Sequence, residues 1–137
     1  MIPRLKIRQS SFIAVLLLLG LGLLLGATPL HAQNYSGITS PASGSYLSGL
    51  VTIRGTADLD TFWKYELAYK QEPSGDDAYS FLSLAEKPVI NGILGVWDVS
   101  NLPPGVYSLR LRVVKGDANY LELYSTNLNV NLPEPPL

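Results

Sequence analysis

The sequence predicts an all-β sandwich of about seven antiparallel strands, preceded by one N-terminal hydrophobic helix. Three observations carry this reading. Beyond residue 34 no long run shows helical period; short apolar–polar alternations sit between Gly, Pro, Asn and Asp clusters instead. The composition, 47% hydrophobic and 15% charged, is too apolar for a disordered chain and too charge-poor for a coiled coil. Setting the first 32 of the 137 residues aside leaves 105, enough for one domain that buries about two-thirds of its unfolded surface.

The chain opens with Arg4, Lys6 and Arg8, then Phe12 to Leu25, made only of Phe, Ile, Ala, Val, Leu and Gly. Gly26 to Ala32 and the polar Gln33-Asn34 follow. A basic start, a short apolar run and a small residue before a polar continuation are the order of a secretory signal, with cleavage expected after Ala32. The alternative is a retained anchor. Phe12 to Leu25 as a helix reaches about 21 Å against a hydrocarbon core of roughly 30 Å. No charge occurs between Arg8 and Arg54, however, so Ser10 to Leu30 would reach across. In either case the basic end stays cytoplasmic and the rest is exported. The expected organisation is a signal peptide or N-terminal membrane anchor over 1–32, the sandwich domain over 33–132 and a Pro-rich tail over 133–137. The location is extracytoplasmic, secreted or anchored to the membrane by the N-terminal segment. All eleven acidic residues follow Ala32, against seven basic ones (ten less Arg4, Lys6 and Arg8), so this part carries a net charge near −4.

The elements follow in order. Ile38 to Ser40 is a short strand ended by Pro41 and the Ser-Gly-Ser stretch. Leu50 to Ala57 alternates, with Val51, Ile53, Gly55 and Ala57 on one face and Thr52, Arg54 and Thr56 on the other. Phe62 to Lys70 places Trp63, Tyr65, Leu67 and Tyr69 inward and Lys64, Glu66 and Lys70 outward. Gln71 to Ala78 is a loop on turn chemistry. Tyr79 to Ala85 is a weaker strand, Pro88 to Gly92 a connection, and Ile93 to Val99 a strand carrying Trp97. Asn101 to Gly105 is a rigid corner, because Pro fixes φ and Gly permits positive φ.

Val106 to Lys115 is the clearest strand: Tyr107, Leu109, Leu111 and Val113 share one face, Ser108, Arg110 and Arg112 the other. Gly116 to Asn119 turns the chain into a last strand, Tyr120 to Leu132. Its apolar parity changes between Leu121/Leu123 and Leu128/Val130/Leu132, which predicts a β-bulge near Ser125 to Asn127. The tail from Pro133 to Leu137 cannot continue a ladder.

Trp97-Asp98 followed by Leu102-Pro103-Pro104-Gly105-Val106-Tyr107-Ser108-Leu109-Arg110 resembles a signature of bacterial extracytoplasmic immunoglobulin-like and fibronectin-III-like modules. Ile38-Thr39-Ser40-Pro41, Val51 to Ala57 and the Phe62 to Leu67 strand are similar to other strands of such modules. The resemblance spans essentially the whole chain past the leader. It implies an immunoglobulin-like sandwich acting as a spacer, adhesive or substrate-binding element. It also implies a structural role for Tyr107 as a tyrosine corner, its hydroxyl bonded to backbone a few residues upstream. Inward parity makes Trp63 and Trp97 core residues.

Chemistry is limited by what is missing. The chain has no Cys, and its one His is His31, in the leader. Past the leader this excludes Ser-His-Asp triads, Cys nucleophiles and His-ligated zinc, and no enzyme activity is expected. Asp58 with Asp60, and Asp76 with Asp77, are paired carboxylates without a predicted cleft. They would supply calcium oxygens only if their two loops met; no cofactor or metal is expected. No basic cluster follows the first eight residues, so nucleic acid is not a predicted partner. Asn34-Tyr35-Ser36 matches a glycosylation sequon, and Leu132-Pro133-Glu134-Pro135 lacks the rest of a sortase signal.

Strand parity gathers Lys64, Glu66, Lys70, Arg110, Arg112, Tyr120, Glu122 and Tyr124 on one outward face. It reads either as a cross-strand charge lattice that keeps the sheet soluble or as a recognition face, since Arg and Tyr are enriched at interaction hot spots. The expected function is a non-catalytic interaction or structural module of the cell envelope, its partner an envelope protein or polysaccharide. The alternative is a carbohydrate-binding module using exposed Tyr side chains. Contact with a membrane is expected only through the N-terminal segment.

Overall fold

Alternation along the sequence becomes two layers of β-sheet. The computed structural model describes residues 35–137; the expected leader and its expected cleavage point, His31 and Asn34 lie outside the described residues. The strands are β1 (Gly37–Ser40), β2 (Tyr46–Leu47), β3 (Leu50–Ala57), β4 (Phe62–Gln71), β5 (Ser80–Ala85), β6 (Val89–Asp98), β7 (Gly105–Lys115) and β8 (Tyr120–Val130), with one 3-10 turn over Asp76–Ala78. The smaller sheet runs β1-β3-β6 and the larger β2-β8-β7-β4-β5. All pairings are antiparallel except β2 with β8. Among the described residues no helix is long and apolar enough to cross a bilayer.

The inner faces make one core. Val51 and Ile53 on β3 and Leu94 and Trp97 on β6 meet Tyr65 and Leu67 on β4 and Tyr107, Leu109, Leu111 and Val113 on β7. Register sets Tyr65 opposite Val113 and Leu67 opposite Leu111, so period-two order in each strand becomes a shared apolar face. Each fully buried Leu or Val contributes roughly 1.5–3 kcal/mol relative to exposure. Two hydroxyls lock the layers. Tyr65 donates to the Leu94 carbonyl at 2.8 Å, across the sandwich, and Tyr107 donates to the Pro103 carbonyl at 2.7 Å, four residues upstream.

The chain changes sheets between β1 and β2. Ser125 donates its hydroxyl to the Pro41 carbonyl, and the Gly44 amide donates to Thr126, which hold this crossing against β8. The slip in β8 parity has its cause here. Leu109 pairs with Ser125 and Tyr107 with Leu128, so two residues of β8 face one of β7, and Asn127 takes a positive φ of 53°. That is a bulge at the position parity indicated.

Four features differ from the expectation. Trp63 is not a core residue: it is 47% exposed. The β4 register slips between Phe62 and Lys64 opposite β7, so Phe62 packs on the core and the parity of Tyr65 and Leu67 does not extend back to Trp63. The Pro88 to Gly92 connection is largely strand, since β6 begins at Val89. Asn91, with φ of 47°, donates its amide to the Thr56 hydroxyl at 3.0 Å, so the ladder continues through an irregularity that reads as a turn in sequence. That same contact accompanies the burial of Thr56, which parity placed outward. Finally, β2 has only two residues, too few for periodicity to register.

Candidate functional site

The outer face of the five-stranded sheet is built by register. Glu66, Arg112 and Glu122 stand in one row across β4, β7 and β8; Ala68, Arg110 and Tyr124 form the next. Lys64 faces Val114, which faces Tyr120. Ala68 and Val114 are buried although they point outward, covered by the longer side chains around them. All eight residues that strand parity gathers, Lys64, Glu66, Lys70, Arg110, Arg112, Tyr120, Glu122 and Tyr124, therefore lie on this face.

Ion pairs cross the rows. Lys64 Nζ lies 3.0 Å from Glu66, Arg112 is 3.3 Å from Glu122 and 4.0 Å from Glu66, and Arg110 is 3.7 Å from Glu122. Surface pairs contribute little singly; the part-buried pairs of Arg110 and Arg112 tie neighbouring strands together. Each cation also meets an aromatic ring. Arg110 lies 4.1 Å over Tyr79, Arg112 4.7 Å over Tyr120, Lys64 4.6 Å over Trp63 and Lys70 5.0 Å over Tyr79. Such contacts are each worth about 0.5–1 kcal/mol at exposed sites. Among the described residues the Nε–H groups of Arg110 and Arg112 have no hydrogen-bond partner. Lys70 points outward yet is only 8% exposed, because residues 72–79 fold over it and supply Ser74, Glu72 and Asp76 as partners.

Tyr79 was not among the residues the sequence marked. It sits where a loop gives way to a weak strand, and no periodicity distinguishes it. Only the fold-back of the loop puts its ring between Lys70 and Arg110.

Electrostatics couple Tyr124 to Glu122. Burial pushes the Glu122 carboxyl up, but the hydrogen bond from Tyr124 and the charges of Arg112 and Arg110 together hold it below its ordinary value. The Tyr124 hydroxyl donates to Glu122 at 2.7 Å, and this bond first, then burial, pushes its pKa up to about 12. An unfolded tyrosine ionises near pH 10. The folded chain thus holds this proton where the unfolded chain has lost it, so the contribution is complete below about pH 10 and disappears between about 10 and 12. Burial raises Tyr65, Tyr79 and Tyr107 in the same direction. Stability is expected to fall through this window. In Glu122→Gln the Tyr124 pKa is expected to drop back towards 10, read from its ring-carbon NMR shift on titration; an unmoved value would separate Tyr124 from Glu122.

The acidic pairs do not meet. Asp58 and Asp60 precede β4 and Asp76 and Asp77 follow it, and a ten-residue strand separates its ends by about 33 Å. Among the described residues no group of three or more His, Cys, Asp or Glu side chains is placed to hold a metal ion.

No protein-family model matches the chain, and no curated protein matches it. Among solved structures, the chain is similar to the crystal structure of CopC from Methylosinus trichosporium OB3b, at 14% identity and a TM-score of 0.38, over 74% of this chain and 100% of that one. No residue role is carried over from a likeness at that level.

Proposed function

We propose that this chain is a non-catalytic, extracytoplasmic immunoglobulin-like module that docks a protein of the cell envelope through the outer face of its larger sheet. Strand order supports the immunoglobulin-like reading. β1, β3 and β6 take the places of strands A, B and E, and β4, β7 and β8 those of C, F and G, with β5 beside β4. Tyr107 near the start of β7 occupies the tyrosine-corner position. The leader, with Arg4, Lys6 and Arg8 ahead of Phe12 to Leu25, supports export.

One observation carries the docking face: its cations are each held against an aromatic ring, while Trp63, Tyr120 and Tyr124 remain 47%, 57% and 49% exposed. Rigid, half-exposed aromatics beside ordered Arg side chains lower the entropy lost on binding. The alternating signs of Glu66, Arg112 and Glu122 favour a partner of complementary mixed charge. A polysaccharide stacked on these tyrosines is less favoured, since Arg112 covers one face of Tyr120 and the Tyr124 hydroxyl is engaged by Glu122.

The test places a benzophenone side chain at Tyr124 of the full chain in its host, irradiates, and isolates adducts from the envelope fraction. A discrete protein adduct is expected, reduced at least about tenfold by Arg110→Ala with Arg112→Ala. An adduct unaffected by these changes, or one formed only when the probe sits at Ile93 on the other sheet, would overturn the assignment of this face.

A further inference from the structure

A second surface lies at the end of the sandwich, beside the charged face, with which it shares Lys70. Where β4 runs out into residues 72–79 and the corner before β7 stands opposite, a groove of about 460 Å³ opens. This is within the roughly 300–1,000 Å³ of small-molecule sites. Tyr69, Gln71 and Ser80 line it together with Lys70, Glu72, Leu102 and Pro103.

The Tyr69 ring is packed against the core. The Tyr69 ring centroid lies 5.2 Å from that of buried Trp97 and 6.3 Å from that of Tyr107. Its hydroxyl has no hydrogen-bond partner among the described residues, and the same holds for the Gln71 amide and the Ser80 hydroxyl. Register makes Ser80 the direct cross-strand neighbour of Tyr69. The Gln71 amide lies across Gly105, where an added Cβ would come within 2.8 Å of its Nε2; the missing side chain is what allows the amide to rest there.

The charges of the groove are already answered. Lys70 donates to the Ser74 carbonyl at 2.8 Å and lies 3.5 Å from Glu72. Glu72 in turn accepts from the Ser108 hydroxyl at 2.8 Å and from the Ser74 amide at 3.4 Å. What remains open is uncharged: an aromatic ring, a hydroxyl, an amide and a second hydroxyl, with Leu102 and Pro103.

We propose that this groove binds a neutral sugar residue, presented by an uncharged glycan. A pyranose has an apolar C–H face that matches the electron-rich face of an aromatic ring, and hydroxyls around its rim that both donate and accept. The Gln71 amide supplies both donors and an acceptor, and the hydroxyls of Tyr69 and Ser80 each supply both functions. A charged ligand would find no free counter-charge. The inference does not rest on the protein-docking face, whose residues Arg110, Arg112 and Tyr124 stand outside the groove.

The experiment uses the full chain, isotope-labelled and dispersed in a detergent without a sugar headgroup, titrated with maltohexaose, cellohexaose and chitohexaose, and with hexagalacturonic acid as the charged control. At least one neutral oligomer at millimolar concentration is expected to shift the backbone amide signals of Gln71, Ser80 and Leu102 while those of Arg112 and Glu122 stay still. Gln71→Ala combined with Ser80→Ala, both exposed positions, should weaken that binding about tenfold with the melting temperature unchanged. Tyr69→Phe, which keeps the ring, should retain measurable binding. No shift with any neutral oligomer, shifts centred on Tyr120 and Tyr124, tighter binding of the charged control, or full affinity in the double variant would each overturn the proposal. None of these results touches the cross-linking test at Tyr124.

Discussion

Trp97→Ala is expected to destabilise the fold by about 3–5 kcal/mol, a large share of the roughly 5–15 kcal/mol that holds a domain together. Trp97 is 1% exposed and sits on β6 opposite Val51. Its ring centroid lies 5.2 Å from that of Tyr69 and 6.3 Å from that of Tyr107, so it joins the smaller sheet to the larger. Truncation removes the transfer free energy of the indole and leaves a cavity walled by two tyrosines whose positions are fixed from elsewhere: Tyr107 by its bond to Pro103 and Tyr69 by the β4 ladder. Neither can collapse freely into the space. Urea unfolding followed by far-UV circular dichroism measures the loss. Trp63→Ala is the comparison, expected to change stability by less than about 1 kcal/mol because that side chain is half exposed. Equal effects from the two tryptophans would contradict the placement of both.

Gly55→Ala is expected to release β1. Gly55 lies in the middle of the smaller sheet, paired with Ile38 on one side and Gly92 on the other. A Cβ built there runs into the Gly37 carbonyl oxygen and crowds the Ile38 Cα. These are backbone atoms, so no rotamer change relieves the contact. Overpacking of a rigid site costs typically about 1–3 kcal/mol and occasionally more. Because β1 is an edge strand of four residues, it is the part able to yield. Amide hydrogen exchange should therefore accelerate across Gly37 to Ser40 while β7 stays protected. Unchanged exchange in β1 would mean that the strand does not lie against Gly55.

The fold was legible wherever one rule acted alone. β3 and β7 could be read from alternation because each is central in its sheet with one face on the core, and period two is then enforced along its length. The β8 bulge was legible for the same reason, since a parity change in a strand with one buried face has to be absorbed by an extra residue. Trp63 was misplaced because a register slip leaves no mark in composition; Phe62 and Trp63 are both large and aromatic, and only the partner strand decides which turns inward. The β6 boundary was obscured by Asn91-Gly92, whose turn chemistry is real but accommodated within a strand.

The candidate sites divide along the same line. Cross-strand neighbours on the charged face follow from parity, so alternation alone groups Lys64, Glu66, Arg110, Arg112, Tyr120 and Tyr124. Tyr79 and the groove residues Gln71, Ser80 and Leu102 do not group in this way, because Tyr79 and Leu102 lie in loops whose conformation no periodicity encodes, and Gln71 and Ser80 lie at strand ends brought together only by the pairing of β4 with β5.

What the chain's own order of residues determined is the class of fold, the core positions of the strands that alternate cleanly and the lack of histidine or thiol past residue 32. These depend on local alternation and on counting. The tertiary structure alone decided which tryptophan is buried, that Lys70 is enclosed although it points outward, and that a groove whose charges are paired within it forms beside the charged face. In each case register and loop packing, rather than side-chain type, set the outcome.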